Sequence, residues 1–234
     1  MSSEQHEVVG HEEWLAARTA LLAREKELTR LRDDLSAQRR ALPWEAVAKE
    51  YVFDTPAGER TLAELFGGRS QLIVYHFMFE PEADVGCPHC SFWADNFDLN
   101  VLHLNARDVT FVAVSRAPLP KLLAYRERMG WSFDWVSSGE SDFNYDFGVS
   151  FRPEELDRPV FNYGTLVPGL EDREGASVFV KDESGRVFHT YSTYGRGIDM
   201  LNAAYHYLDL VPKGRDEEGR APQYWLRRRD EYGD

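Results

Sequence analysis

The chain has 234 residues, enough for one complete hydrophobic core with additional segments or for two small domains at most. Hydrophobic residues make up 43% of the chain and aromatic residues 13%, which indicates a folded globular protein. The formal net charge of −13 disfavours nucleic-acid and anionic-membrane partners, because both require basic surfaces. No apolar run approaches the ~20 residues of a membrane helix, and the N-terminus lacks the basic and apolar regions of a secretion signal. We therefore expect a cytoplasmic location.

The first predicted element is a charged helix over residues 11–40, which Pro43 ends. Leucines recur in this helix at heptad spacing, at Leu21, Leu28 and Leu35, with Leu31 between them. Three heptads are short for an independent coiled coil, so we expect the helix to lie on the rest of the chain or on a second subunit.

After this helical extension, apolar runs typical of buried strands alternate with helical patterns. Predicted strands cover 51–54, 71–79, 109–115 and 132–136, and a β-hairpin joins 176–181 to 186–191. Predicted helices cover 61–66, 87–105, 118–129 and 197–208, the first with Thr61 and Glu64 as a capping box. Because strand–helix–strand crossovers join parallel strands, the pattern predicts an α/β sheet covered by helices on both faces.

Two segments stand outside this alternation. The stretch 139–175 is rich in aromatic residues and long for a plain connection, so we expect a lid over a functional site or an intersubunit surface, formed by Phe143, Tyr145, Phe147 and Phe151. The predicted organisation is a helical extension at 1–43, a main domain at 44–210 and a tail at 211–234. Three arginines in the tail adjoin acidic residues, which favours a surface ion-pair network at Arg227, Arg228 and Arg229.

The chain contains two cysteines, Cys87 and Cys90, separated by Pro88 and His89 and placed between a predicted strand and a predicted helix. This arrangement is typical of a thioredoxin-like dithiol site. A thiolate at a helix N-terminus faces free backbone N–H groups, which lower its pKa, and Pro88 suits the first helical turn because its missing N–H is not needed there. We predict that Cys87 is the nucleophile, with a pKa below the free-thiol value of about 8.5, and that Cys90 resolves a mixed disulfide.

Charged neighbours act on this motif in opposite directions. A protonated His89 stabilises a neighbouring thiolate, whereas the acidic residues Glu80, Glu82 and Asp84 raise the pKa of Cys87 if they point toward it, and the sequence leaves this balance open. A metal site would need two ligands besides the cysteines. The possible further ligands have no recognised zinc spacing: His76, His89, His103, Glu80 and Asp84. We therefore predict no metal and no cofactor.

The order of elements resembles that of the thioredoxin superfamily. Within it, the chain resembles the DUF899 family of predicted bacterial dithiol–disulfide oxidoreductases. Three stretches carry the closer resemblance: 86–95 (GCPHCSFWAD), 142–149 (DFNYDFGV) and 223–228 (QYWLRR). The resemblance implies a thioredoxin-like mixed sheet flanked by helices, with the helical extension and the aromatic-rich insertion added to it.

One position departs from the superfamily pattern. Thioredoxin-like oxidoreductases usually place a cis-proline just before the strand that corresponds to 177–180, and this chain has Gly175 and Ala176 there. That proline shapes the substrate-binding edge and discourages the thiols from binding a metal. Its replacement therefore keeps metal binding by the cysteines open as an alternative to thiol–disulfide exchange. We assign Pro88, Trp93 and Ala176 to the substrate-binding side, with packing of the helix on the core as the alternative role of Trp93.

These observations predict a thiol–disulfide oxidoreductase that acts on a protein or small-molecule disulfide or thiol and is recycled by a cellular thiol reductant. One alternative is a peroxiredoxin-like thiol peroxidase, although Asp84 stands where the threonine of a peroxidatic Thr-x-x-Cys would be. Another is a non-enzymatic redox-sensing or metal-binding module that uses the same cysteines. The leucine heptads and the aromatic insertion favour a homodimer, and the direction of the redox reaction stays open.

Overall fold

The computed structural model describes residues 6–139 and 141–233, which divide into two compact units after Pro43. The first unit contains helix α1 (His11–Arg40), with the predicted bounds. None of its residues is buried, and the leucines at heptad spacing are exposed to solvent. Within the described residues, no helix is both long and apolar enough to cross a membrane.

The second unit is built on a mixed sheet, which in the described residues has eight strands. These are β1 (Glu45–Ala46), β2 (Val52–Thr55), β3 (Gly58–Thr61), β4 (Gln71–His76), β5 (Val109–Ser115), β6 (Asp134–Ser137), β7 (Gly175–Lys181) and β8 (Val187–Tyr194). Their order is β1-β8-β7-β4-β5-β6-β2-β3. Strands β4, β5 and β6 are parallel, whereas β7 is antiparallel to β4 and forms a hairpin with β8. A parallel βαβ unit and a C-terminal hairpin thus meet at β4, which confirms the predicted thioredoxin-like fold.

The helices of the second unit are short. They are α2 (Pro88–Ala94), α3 (Asp98–Asn105), α4 (Leu119–Met129), α5 (Phe143–Asp146), α6 (Phe161–Gly164) and α7 (Ala203–Leu208). Single 3₁₀ segments cover Glu64–Phe66, Pro153–Glu155, Gly195–Leu201 and Arg229–Glu231. Helix α4 ends where the sequence predicts, because Gly130 takes the left-handed conformation (φ 66°) that terminates a helix.

The prediction of one continuous helix over 87–105 is wrong, because the backbone hydrogen bonds between α2 and α3 reach only three residues back instead of four. The side-chain amide of Asn96 donates to the carbonyl oxygen of Phe92 (2.9 Å), and the backbone N–H of Asn96 bonds only three residues back, to Trp93 (3.0 Å). Such side-chain bonds compete with the helical pattern. A similar break divides the predicted helix 197–208, where Asn202 caps α7 by accepting a hydrogen bond from Tyr205 N–H (3.3 Å).

The predicted helix 61–66 is reduced to the 3₁₀ turn Glu64–Phe66, since Thr61 belongs to strand β3. The capping box nevertheless forms: the Glu64 carboxylate accepts from Thr61 N–H (2.8 Å), and Glu64 N–H donates to the Thr61 hydroxyl (3.3 Å). This pair of bonds turns the chain out of β3.

Alternate residues of β4 supply two different hydrophobic cores, one on each face of the sheet. Tyr75 belongs to the core that also contains Cys90, whereas Val74 belongs to the core on the opposite face. Phe143 of the aromatic insertion is fully buried in that opposite core, and Phe147 packs against it. Phe143 and Phe147 therefore complete the second core and do not cover the cysteines as a lid, whereas Phe151 is buried in a third cluster.

Candidate dithiol site

Cys87 ends the loop that follows β4, and Cys90 lies in the first turn of α2. Cys87 is the residue before α2, and its N–H donates to the carbonyl oxygen of Met78 (3.1 Å). In return, Met78 N–H donates to the sulfur of Cys90 (3.4 Å). The Ser91 hydroxyl closes the first turn by donating to the Cys87 carbonyl oxygen (2.8 Å). Gly86 precedes the motif because a Cβ there would lie 2.8 Å from Tyr125.

The two thiols are free and close together, and they differ in burial and in pKa. Cys90 is 1% exposed and Cys87 is half-buried. The Cys90 thiol, together with the backbone N–H groups of Cys90 and His89, stabilises the Cys87 thiolate and lowers the pKa of Cys87 to about 6, against the effect of burial; the His89 imidazole acts in the same direction. Burial raises the pKa of Cys90 well above its ordinary value. At neutral pH, Cys87 is thus a thiolate beside a protonated Cys90.

Two further groups, which the sequence analysis did not single out, face the cysteines. In the β4–β7 ladder Tyr75 lies opposite Ala176, and Glu174 is the residue just before the start of β7. The negative charge of Glu174 contributes to the raised pKa of Cys90. The buried Tyr75 hydroxyl has its own pKa raised by burial and by Cys90. The sequence carries no local signal for either contact, since both depend on strand register.

The tail also reaches the site. The Nδ1 of His89 donates a hydrogen bond to Oε1 of Gln223. Arg228 donates through Nη2 to the carbonyl oxygen of Gly86 (2.9 Å) and through Nε to the hydroxyl of Tyr125 (2.9 Å). Its ion pair with Glu231 (3.0 Å) agrees with the ion-pair network expected from sequence, but the contact with Gly86 was not foreseen.

The residues assigned to the substrate-binding side occupy different environments. Pro88 is the first residue of α2 and is partly exposed. Trp93 is 5% exposed, and its Nε1 donates to the carbonyl oxygen of Ile198 (2.9 Å), which places it in the core rather than on an accessible surface. Ala176 is also 5% exposed, within β7, and no cis peptide bond occurs in the described residues.

The residues considered as metal ligands are dispersed. His76 lies on the sheet face opposite the cysteines, where its Nε2 is 2.8 Å from the Ser177 hydroxyl. Glu80 lies near Asp172 and Arg116, and burial together with Asp172 raises its pKa. Over residues 6–139 and 141–233, no three His, Cys, Asp or Glu side chains come together as a set that could hold a metal ion.

Fold and site together define a thioredoxin-like protein with a C-x-x-C pair after its central strand. The chain belongs to the family described as "Bacterial protein of unknown function (DUF899)", whose model matches residues 3–232. A comparison with curated protein sequences gives no match.

Among solved structures, the chain is similar to peroxidoxin BcpB from Mycobacterium tuberculosis, with 18% identity and a TM-score of 0.46 over 69% of this chain and 94% of that one. It is similar to peroxiredoxin Q from Xanthomonas campestris, with 14% identity and a TM-score of 0.49 over 70% and 93% of the two chains. It is also similar to a putative thiol:disulfide interchange protein DsbE from Chlorobium tepidum, with 13% identity and a TM-score of 0.41 over 70% and 94%.

Proposed function

We propose that this protein is a thiol–disulfide oxidoreductase in which Cys87 is the nucleophile and Cys90 the resolving thiol. The observation that supports this most directly is the difference between the two sulfurs: the pKa of Cys87 is lowered to about 6, while that of the buried Cys90 is raised. A thiolate is the reactive form of cysteine, and a second thiol within reach allows a mixed disulfide to be released.

The first step forms one bond and breaks one. The Cys87 thiolate attacks a sulfur of the substrate disulfide, forms a mixed disulfide and expels the other substrate sulfur as a thiolate. Cys90 then attacks the Cys87 sulfur, its proton passes to the departing substrate thiolate, and the Cys87–Cys90 disulfide forms. Two electrons have passed to the substrate, and a cellular thiol reductant returns the pair to the dithiol by the reverse exchange.

The first experiment is equilibration of the protein with glutathione at defined ratios, with mass spectrometry to measure the fraction of the Cys87–Cys90 disulfide. We expect a single two-electron transition. A potential of about −270 mV would indicate a reductant and one of about −120 mV a strong oxidant. If no intramolecular disulfide forms at any ratio, the proposal is wrong.

Two cysteine variants separate the roles. Cys87→Ser should abolish disulfide reductase activity, whereas Cys90→Ser should retain the first step and accumulate the mixed disulfide, because the resolving thiol is missing. Equal loss of the first step in both variants would contradict the assignment.

Assays with different oxidants distinguish the other activities that the sequence leaves open. With a peroxide as oxidant, Cys87 would become a sulfenic acid and condense with Cys90 with release of water. Rapid peroxide turnover without disulfide reductase activity would replace the proposed function by a thiol peroxidase. A disulfide that forms reversibly without turnover of either substrate would indicate a redox sensor.

A further inference from the structure

The carboxylate of Glu217 links the tail segment Glu217–Glu231, here called the tail clamp, to the core. The Oε1 of Glu217 accepts hydrogen bonds from Gln223 N–H (2.9 Å), Trp225 Nε1 (2.8 Å) and the Tyr205 hydroxyl (3.2 Å). Tyr205 is itself 2% exposed. Gln223 is therefore linked through Glu217 to a buried side chain.

Gln223 adopts a backbone conformation that a non-glycine residue rarely takes. Its φ is 60°, in the left-handed region. Its side-chain amide hydrogen-bonds the Tyr205 hydroxyl, and its Oε1 accepts from Nδ1 of His89. The amide thus connects a buried tyrosine to the histidine between the two cysteines.

A second contact of the tail clamp reaches the other side of Cys87. Arg228 donates to the carbonyl oxygen of Gly86 (2.9 Å), the residue just before Cys87. The tail clamp therefore holds the backbone before the nucleophile and the imidazole two residues after it.

We propose that Gln223 is a positioning residue for Cys87, which holds the imidazole of His89 with Nδ1 protonated beside the Cys87 thiolate. A carbonyl oxygen that accepts from Nδ1–H fixes the tautomer and the orientation of the imidazole ring. The imidazole held in this way stabilises the Cys87 thiolate. The inference rests on the nucleophilic role of Cys87 proposed above.

The test measures the rate of Cys87 alkylation by iodoacetamide against pH, with the modified site identified by mass spectrometry. Gln223→Leu removes the acceptor, and Gln223→Asn shortens the amide while suiting the left-handed backbone. Both should raise the alkylation midpoint and slow the reaction at pH 6 about two- to fivefold. Gln71→Leu, at the far end of β4, is the matched control and should leave the midpoint unchanged.

A double-mutant cycle with His89→Ala shows whether Gln223 acts through His89. We expect Gln223→Leu to have no further effect on the midpoint once His89 is absent. An effect of equal size with and without His89, or none in the wild-type background, would overturn the inference. Alkylation does not depend on turnover, so this result is independent of whether the wild-type protein forms the Cys87–Cys90 disulfide.

Discussion

The Nε2 of His76 lies 2.8 Å from the Oγ of Ser177, on the face of the sheet opposite the cysteines. Ser177 continues the contact to the hydroxyl of Ser192 (2.8 Å), which lies 2.7 Å from Nε2 of His189. A chain of polar groups thus runs from a histidine that is 1% exposed to one that is partly exposed. The burial of His76 has a measurable consequence for stability.

We expect the free energy of unfolding to decrease as pH falls from about 6.5 to about 3, because burial lowers the pKa of His76 from 6.5 to about 3. In this interval the unfolded chain binds a proton at His76 and the folded chain does not, so protons favour unfolding. The slope contributed by one such group is about 1.4 kcal/mol per pH unit. Urea unfolding at a series of pH values measures it.

The variant His76→Gln should flatten this pH dependence, since its side chain does not titrate. His103→Gln, at an exposed position of α3, should keep the wild-type slope. Equal slopes in wild type and His76→Gln would show that His76 is not the group responsible.

Removal of the charge at Glu174 should lower the pKa of Cys90, because burial, the neighbouring Cys87 and then the Glu174 carboxylate disfavour the Cys90 thiolate. The cleanest measurement is a thiolate absorbance titration of Cys87→Ser alone and with Glu174→Gln, so that one thiol titrates. Glu171→Gln, at a more exposed carboxylate, is the control. Coincident titration curves for the two Cys90-only proteins would contradict a role for Glu174.

Gly86→Ala should destabilise the protein by about 1–3 kcal/mol, since the added Cβ would lie 2.8 Å from Tyr125 and 2.9 Å from Phe77. The loop cannot move freely away from these rings because Arg228 holds the Gly86 carbonyl oxygen. Chemical denaturation measures the change. Gly233→Ala, with open space around the added carbon, should have no effect, and unchanged stability in both variants would refute the packing argument.

We propose that α1 pairs with α1 of a second copy of this chain. The helix has 30 residues and none is buried, and its leucines at heptad spacing are about half exposed: Leu21 54%, Leu28 56% and Leu35 41%. Leu28→Glu should convert a dimer to a monomer in light scattering because it places a charge in the seam. Leu99→Glu, at an exposed leucine of α3, should not, and a monomeric wild type would exclude the pairing.

Local sequence patterns were sufficient to predict the elements in which all residues favour the same secondary structure. Strand β5 is a continuous apolar run and was predicted with its observed bounds, as was α1. The break after α2 was missed because it depends on the side chain of Asn96 bonding to nearby carbonyl groups, which competes with an otherwise helical pattern.

The candidate site was predictable where its residues are adjacent in sequence. The spacing of the C-x-x-C pair and its position after a strand predict a dithiol site. The contacts of Gln223 and Glu174 are not encoded locally: His89 and Gln223 are 134 positions apart, and the place of Glu174 follows from the register of β7 on β4. Only the folded chain brings these groups to the cysteines.

The cysteines and the tail clamp are far apart in sequence, so they are synthesised at different times. A ribosome releases the chain from its N-terminal end, so Gly86 emerges before Arg228, its partner 142 positions later. Until then the two cysteines lack the contacts of Gln223 with His89 and of Arg228 with Gly86. The segment that carries the cysteines gains these contacts only after the tail clamp has been translated.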